Sequence, residues 1–302
     1  MKKIFSIFAA ALIVFGAASC KKSDKKSEPA PSTFTITISD ITYDGCDFTI
    51  TPSNTREEYM YMFLTQGQLG EDEDLVKTVE GIMAISQRTY ADYKEKGYVQ
   101  QDKFQRDRTP EYLSALTKYV LAVFHVNEQL KVVGDVTLSK SFYTLPNGYV
   151  DLGLPSGILW KCYEEDDDNN YPILMTYTEA AGRGTVPTRK QWDELLSNCT
   201  INWMESGNYG PYLKLSGPSK RSISLFNTGK YGSDGKLADD GEYRGYYWTS
   251  TQSGSIMIQN DVFYFYGGGT KENGFGKKPY ASQNVCGAIL VTDNPNIVPP
   301  VR

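Results

Sequence analysis

From residue 33 onward, apolar and polar positions alternate with a period of two. Phe34, Ile36 and Ile38 face Thr35, Thr37 and Ser39, and Ile41 and Tyr43 then lead to Asp44-Gly45. Residues 46–52 alternate again. Asp-Gly between two alternating runs predicts a β-hairpin, because both residues tolerate the positive φ that a tight turn requires. The apolar run at 59–64 predicts a third strand. Between 71 and 96 the period lengthens: Leu75, Val79, Ile82, Met83 and Tyr90 fall largely at three- and four-residue spacings, which predicts an amphipathic helix or helix pair. Asp72 and Asp74 suit the positive end of its dipole, and Lys94, Lys96 and Gly97 suit its close. Residues 113–127 predict a long strand and 136–143 a closing one. His125 shares a strand side with Tyr119, Leu121 and Val123. No Ser, Cys or metal-ligand pattern accompanies it, so it reads as structural.

Leu145-Pro146-Asn147-Gly148 is a turn and marks a boundary. Beyond it, the alternation of Leu152 and Leu154 followed by Pro155-Ser156-Gly157 predicts strand, turn, strand. Pro187-Thr188 opens a helix in which Thr188 is the N-cap, Gln191 completes a capping box and Trp192, Leu195 and Leu196 form the apolar face. That helix ends near Asn198-Cys199. Short strands are predicted at 201–203, 212–215, 256–258, 262–266 and 285–291, separated by long polar, glycine-rich loops. One helix with many short strands defines an α+β module.

The N-terminus follows another pattern. Met1-Lys2-Lys3 precedes an uncharged apolar run at 4–15, which has the length of a secretory core and is too short to span a bilayer. Gly16-Ala17-Ala18-Ser19 then leads to Cys20. This resembles a bacterial lipobox, in which cleavage precedes the cysteine and its thiol carries a diacylglycerol. The expectation is a signal peptide at 1–19 and a lipidated tether at 20–32. The tether has no large apolar residue to offset ordering and is rich in Lys, Ser and Pro. Lys21, rather than Asp, resembles outer-membrane sorting in Gram-negative lipoproteins, and the side of the membrane stays open.

Length and charge refine this picture. The 302 residues fit about two domains of roughly 150 residues each. The single histidine excludes most His-based triads and His-rich metal sites. Net charge is −5 for the whole chain. Without Lys2 and Lys3, 29 basic side chains face 36 acidic ones, giving −7. Such a balance argues against nucleic acid as a partner.

Two stretches carry family resemblance. Leu113, Thr117, Tyr119, Leu121 and Val123 fall at the spacing L-x-P-x-T-x-Y-x-V-x-V, with Ala115 in place of proline. This resembles a fibronectin type III domain and puts Tyr119 at the tyrosine-corner position. Residues 33–145 are expected to form a fibronectin-III-like β-sandwich with a helical insert. Residues 149–160, YVDLGLPSGILW, closely resemble the opening of the Fibrobacter major paralogous domain. VPTRKQWDELL at 186–196, SISLF at 222–226 and YYWTS at 246–250 resemble its later motifs in order. The resemblance covers 149–291 and implies a C-type-lectin-like α+β domain over 146–302, so the fold class is mainly β plus α+β. It also implies a bridge from the helix to the last strand, Cys199 to Cys286, with Cys162 to Cys286 and fully reduced thiols as alternatives. Trp160, Trp192 and Trp248 are expected as core anchors.

Candidate chemistry is sparse. The acidic run at 164–168 lacks the alternate spacing of a calcium loop, and 267–271 lacks the phosphate-loop pattern. No catalytic residue, metal site or cofactor is predicted. Loops between 229 and 266 are the expected contact zone, with Asp239, Asp240, Glu242, Tyr243, Asn260 and Asp261 as ligand-binding candidates. The sequence therefore reads as a non-enzymatic cell-envelope lipoprotein, held in the outer membrane by lipid on Cys20 and binding a glycan or protein ligand. The alternatives are a structural subunit of a surface assembly or an envelope glycan-processing hydrolase.

Overall fold

The computed structural model describes residues 33–69, 74–107, 109, 113–162, 174–204, 212–232, 234, 236–239, 244–252, 259–266, 275–281 and 285–297. The signal peptide, Cys20 and the tether lie outside these residues. The architecture is mainly β, built from several antiparallel sheets with a few short helices.

The first half contains strands β1 (Phe34–Ser39), β2 (Asp47–Pro52) and β3 (Tyr59–Thr65). Helices α1 (Gln66–Leu69), α2 (Leu75–Ile85) and α3 (Tyr90–Glu95) follow. Then come β4 (Val99–Gln100), β5 (Phe104–Arg106), β6 (Lys118–Val126), β7 (Val132–Leu138) and β8 (Phe142–Tyr143). β1 and β2 pair over six residues, as the alternation predicts. One sheet has the order β1-β2-β5, and the other β4-β3-β6-β7 with β8 also on β6.

Phe48 and Ile50 of the first sheet meet Tyr59, Tyr61, Leu121 and Val123 of the second. The opposite face of the second sheet packs Met60, Val120, Ala122 and Phe124 against Val79 and Met83 of α2 and Tyr93 of α3. β6 is therefore covered on both faces, which is why it reads as a nearly continuous apolar run instead of an alternating one. Each large side chain so buried contributes about 1.5–3 kcal/mol. The Tyr119 hydroxyl accepts the Ser114 N–H at 3.0 Å, tying the strand back to the chain five residues upstream. His125 is 6% exposed, with Nδ1 2.9 Å from the Glu58 carbonyl oxygen and Nε2 3.4 Å from the Glu57 carboxylate.

Two elements differ from expectation. The helical stretch is a pair, because Thr89 and Asp92 form a capping box that starts α3 afresh after Gln87 at φ 54°. The closing strand at 136–143 is two strands. Ser139 Oγ accepts the Leu121 N–H at 2.9 Å, taking over a backbone ladder position and ending β7.

The second half begins with β9 (Tyr149–Asp151), β10 (Leu159–Lys161), α4 (Tyr177–Arg183), α5 (Arg189–Asn198), β11 (Thr200–Met204), β12 (Tyr212–Ser216) and β13 (Ser222–Phe226). It continues with β14 (Lys230–Tyr231), β15 (Leu237–Asp239), β16 (Arg244–Gln252), β17 (Gln259–Tyr266), β18 (Phe275–Ala281) and β19 (Val291–Thr292). The sheets run β19-β10-β9, β11-β12-β13, β14-β15 and β16-β17-β18.

α5 has the predicted Thr188–Gln191 capping box and ends at Asn198. Trp192 stacks on Phe263 of β17 at 4.2 Å between centroids and meets Trp160 edge-on at 5.1 Å. Trp160, Trp192 and Trp248 are all fully buried. α4 was not anticipated, although Thr176 and Glu179 form the same kind of capping box. β18 was also missed, because Lys277, Lys278 and Pro279 break its apolar pattern. The expected strand at 285–291 is reduced to isolated bridges plus β19, and the one at 256–258 lies outside the described residues.

Candidate functional site

The sequence-predicted contact residues separate into two groups. Asp239 lies at the end of β15, its Cα opposite Lys230. Asp240, Glu242 and Tyr243 lie outside the described residues, as do the acidic run at 164–168 and the glycine run at 267–271. Asn260 and Asp261 are fully buried at the start of β17. Asn260 Nδ2 donates to the Thr249 carbonyl at 3.2 Å, and Asp261 pairs with the Arg189 guanidinium at the start of α5. Asn260 thus ties β17 to β16 and Asp261 ties β17 to α5, and with both side chains turned inward the expectation that they face a ligand is corrected.

The cysteine expectation is corrected as well. Cys199 and Cys286 are thiols in the structure. Cys199 packs among Trp192, Leu195 and Leu213, while Cys286 packs among Met175, Trp248 and Ala288 in a separate cluster. The bridge implied by the lectin-like resemblance is not formed.

A feature not anticipated from sequence is the cleft where the two halves meet. The hairpin joining β12 to β13 turns through Gly217, Ser219 and Lys220, with Lys220 at φ 67°. Gly217 is required there, since a Cβ would lie 2.2 Å from the Leu152 carbonyl oxygen. The hairpin is held down by Ser219, whose N–H donates to the Leu152 carbonyl at 3.1 Å and whose hydroxyl donates to the Asp151 carbonyl at 2.8 Å. This aims Arg221 across the boundary. Its Nη1 donates to the Ile41 carbonyl at 2.6 Å, and its Nη2 lies 3.8 Å from Asp40.

Asp151 of β9 is the second hub. Its carboxylate accepts the Gly153 N–H at 2.8 Å and the Asn294 amide at 3.0 Å. Two residues on, Asn296 reaches back to the first half and pairs with both backbone groups of Tyr143.

Two cavities flank Arg221. One, of about 200 Å³, is lined by residues including Asp40, Asp151, Ser219 and Asn294. The other, of about 400 Å³, is lined by Asp44, Asp47, Asp107, Tyr149, Cys46 and Cys162 among others. Burial raises the Asp47 carboxyl above its ordinary value, and the carboxylates of Asp40 and Asp107 push it further, against the pull of Arg221. Burial, aided by Asp47, pushes the Cys46 thiol up to about 12. Burial also raises the Cys162 thiol, against the opposing pull of Arg221 and Lys161. Neither thiol is poised as a thiolate at neutral pH. The cleft presents one guanidinium ringed by carboxylates, a joint between halves in which most polar groups are already engaged. Among the described residues no group of three or more His, Cys, Asp or Glu is arranged to hold a metal ion.

Sequence reasoning passed over Arg221, Asn294 and Asn296 because each is polar and sits in a turn. The only cue was Asp151, which stands inside the YVDLGL motif. Comparison with family models, curated proteins and solved structures finds no match for this chain.

Proposed function

We propose that this chain is a non-enzymatic lipoprotein of the cell envelope, anchored in the outer membrane through Cys20, which binds a glycan or protein ligand through loops of its second half. In this reading the first half is a fibronectin-III-like sandwich that acts as a spacer, and the second is a divergent C-type-lectin-like module resembling the Fibrobacter major paralogous domain. The Tyr119–Ser114 hydrogen bond supports the first assignment, since it ties a tyrosine back to the chain as a tyrosine corner does.

The observation that carries the binding reading is the aromatic clamp beneath β16 and β17. Trp192 on Phe263 and Tyr247 against Phe265 fix these strands from the core side. In sequence, the glycine-rich and polar residues 240–243, 253–258 and 267–274 adjoin these strands, and connections between the strands of a rigid scaffold are where recognition commonly resides. The cleft thiols are held protonated and the only histidine is engaged structurally, which favours binding over turnover.

Glycan and envelope-protein arrays probed with the chain from residue 20 onward, carrying Cys20→Ser, test this. Binding is expected, with loss in the variant Asp239→Ala, Asp240→Ala, Glu242→Ala, Tyr243→Ala. Binding that survives all four substitutions overturns the loop assignment, and polysaccharide turnover by the unsubstituted chain overturns the non-enzymatic reading.

A further inference from the structure

The outer edge of β1 is an unprotected pairing surface. Thr33 accepts the Ser53 N–H at 2.8 Å and donates its own N–H to Ser53 Oγ at 2.9 Å. The register places Thr35 opposite Thr51, Thr37 opposite Thr49 and Ser39 opposite Asp47. In an antiparallel ladder the bonded positions alternate, so the odd residues of β1 serve β2 and the even ones point away. The N–H and C=O groups of Phe34, Ile36 and Ile38 therefore face outward, and among the described residues nothing hydrogen-bonds to them.

Several other edges carry the usual protections against pairing, while β11 (TINWM), five residues long, is likewise uncharged. β4 has two residues, and β5 has three, including Arg106. β7 carries Gly134 at φ 78° and Asp135, and its pairing is interrupted by a bulge. β18 carries Lys277, Lys278 and Pro279. β1, with the sequence FTITIS, has six residues and no charge, proline or glycine.

We propose that β1 pairs antiparallel with β1 of a second copy of this chain, about a two-fold axis at Ile36. The register follows from the outward groups: Ile36 bonds Ile36, and Phe34 bonds Ile38 in both directions. This makes six N–H···O bonds and joins two three-stranded sheets into one of six strands. On the exposed face Thr35 stands opposite Thr37 of the partner copy. The strand brings no charge to the seam, so two copies meet there without like-charge repulsion.

The chain's own residues 20–32 are the poorer occupant. They carry Lys21, Lys22, Lys25 and Lys26, and Pro29 and Pro31 lack the N–H that a ladder needs. A seam of six hydrogen bonds and little apolar area belongs to the weak class, with self-association in the range of about 10–100 µM. If the lipid anchor of the functional reading holds, two copies on one membrane gain effective concentration. The strand starts then lie about 14 Å apart, within the roughly 20 Å root-mean-square reach of a 13-residue tether. The seam itself does not depend on the anchor.

Sedimentation of the soluble chain carrying Cys20→Ser, at low ionic strength and rising concentration, tests the pairing. The unsubstituted strand gives a monomer–dimer equilibrium. Thr35→Lys with Thr37→Lys places lysine opposite lysine twice across the seam and weakens dimerisation at least tenfold, with unchanged circular dichroism. Thr35→Lys with Thr37→Glu places lysine opposite glutamate and restores it. A monomer at all concentrations up to about 100 µM, or a dimer indifferent to the double-lysine variant, overturns the proposal. A chain that dimerises only when residues 20–32 are removed assigns the edge to the tether and overturns it equally.

Discussion

Asn296 closes its side-chain amide on the backbone of Tyr143, accepting the Tyr143 N–H at 2.7 Å and donating to its carbonyl at 2.8 Å. One side chain thereby completes the end of β8 as another strand would, and it does so from the opposite half of the molecule. With Arg221 on Ile41, it makes the joint between halves a set of directed hydrogen bonds.

Asn296→Ala should cost about 1 kcal/mol, since both Tyr143 groups are exposed enough for water to replace part of what is lost. Asn296→Asp keeps the acceptor and should lose less. Urea denaturation followed by tryptophan fluorescence measures this, because all four tryptophans lie in the second half. An unchanged midpoint in both variants would mean that Asn296 does not tie the joint.

Arg189 and Asp261 form a second lock. The carboxylate is fully buried and the guanidinium is 45% exposed. Removing the cation takes the Arg189 ion pair from a buried carboxylate, so Arg189→Met should destabilise by about 3 kcal/mol. Combining it with Asp261→Asn should return part of that loss. Thermal unfolding of the single and double variants gives the coupling.

Acid dependence should show two opposite signs. Glu58 is held below its ordinary value of 4.5, first by the Lys94 hydrogen bond and then by Tyr90. Its contribution is therefore present above that value and lost as pH falls through the folded one. Asp47 is raised above 3.8, so its contribution is present below that value and lost as pH rises through the folded one. Glu58→Gln should therefore destabilise near pH 7 and have little effect near about pH 3. Asp47→Asn should stabilise near neutrality and lose that gain in acid. Chemical denaturation at the two pH values reads both, and a common sign for the two variants would contradict the assignment.

Tyr119→Phe removes the hydroxyl that accepts the Ser114 N–H and leaves the ring, 7% exposed, in place. A loss of about 1 kcal/mol is expected. No loss would show that the corner bond contributes nothing to the first half.

The hairpin of β1 and β2, the long β6 and the capped helix α5 were legible in sequence because periodicity and capping are local signals. The Thr188–Gln191 box lies within four residues, and Tyr119 answers to a spacing within one strand. The cleft was not legible. Arg221 meets Ile41 across 180 positions and Asn296 meets Tyr143 across 153, and polar turn residues carry no pattern that announces such partners. Asn260 and Asp261 misled for the converse reason. They fall within the 229–266 stretch expected to make contacts, and only the fold turns Asn260 onto Thr249 of β16 and Asp261 onto Arg189 of α5.

Membrane attachment through Cys20 underlies the functional reading, and metabolic labelling with a palmitate analogue tests it most directly. Cells expressing the full chain should yield a labelled protein in the outer-membrane fraction, with Cys20→Ser abolishing the label and leaving the chain unprocessed or soluble. Label retained in Cys20→Ser, or an unlabelled wild-type chain cleaved elsewhere, would contradict the account.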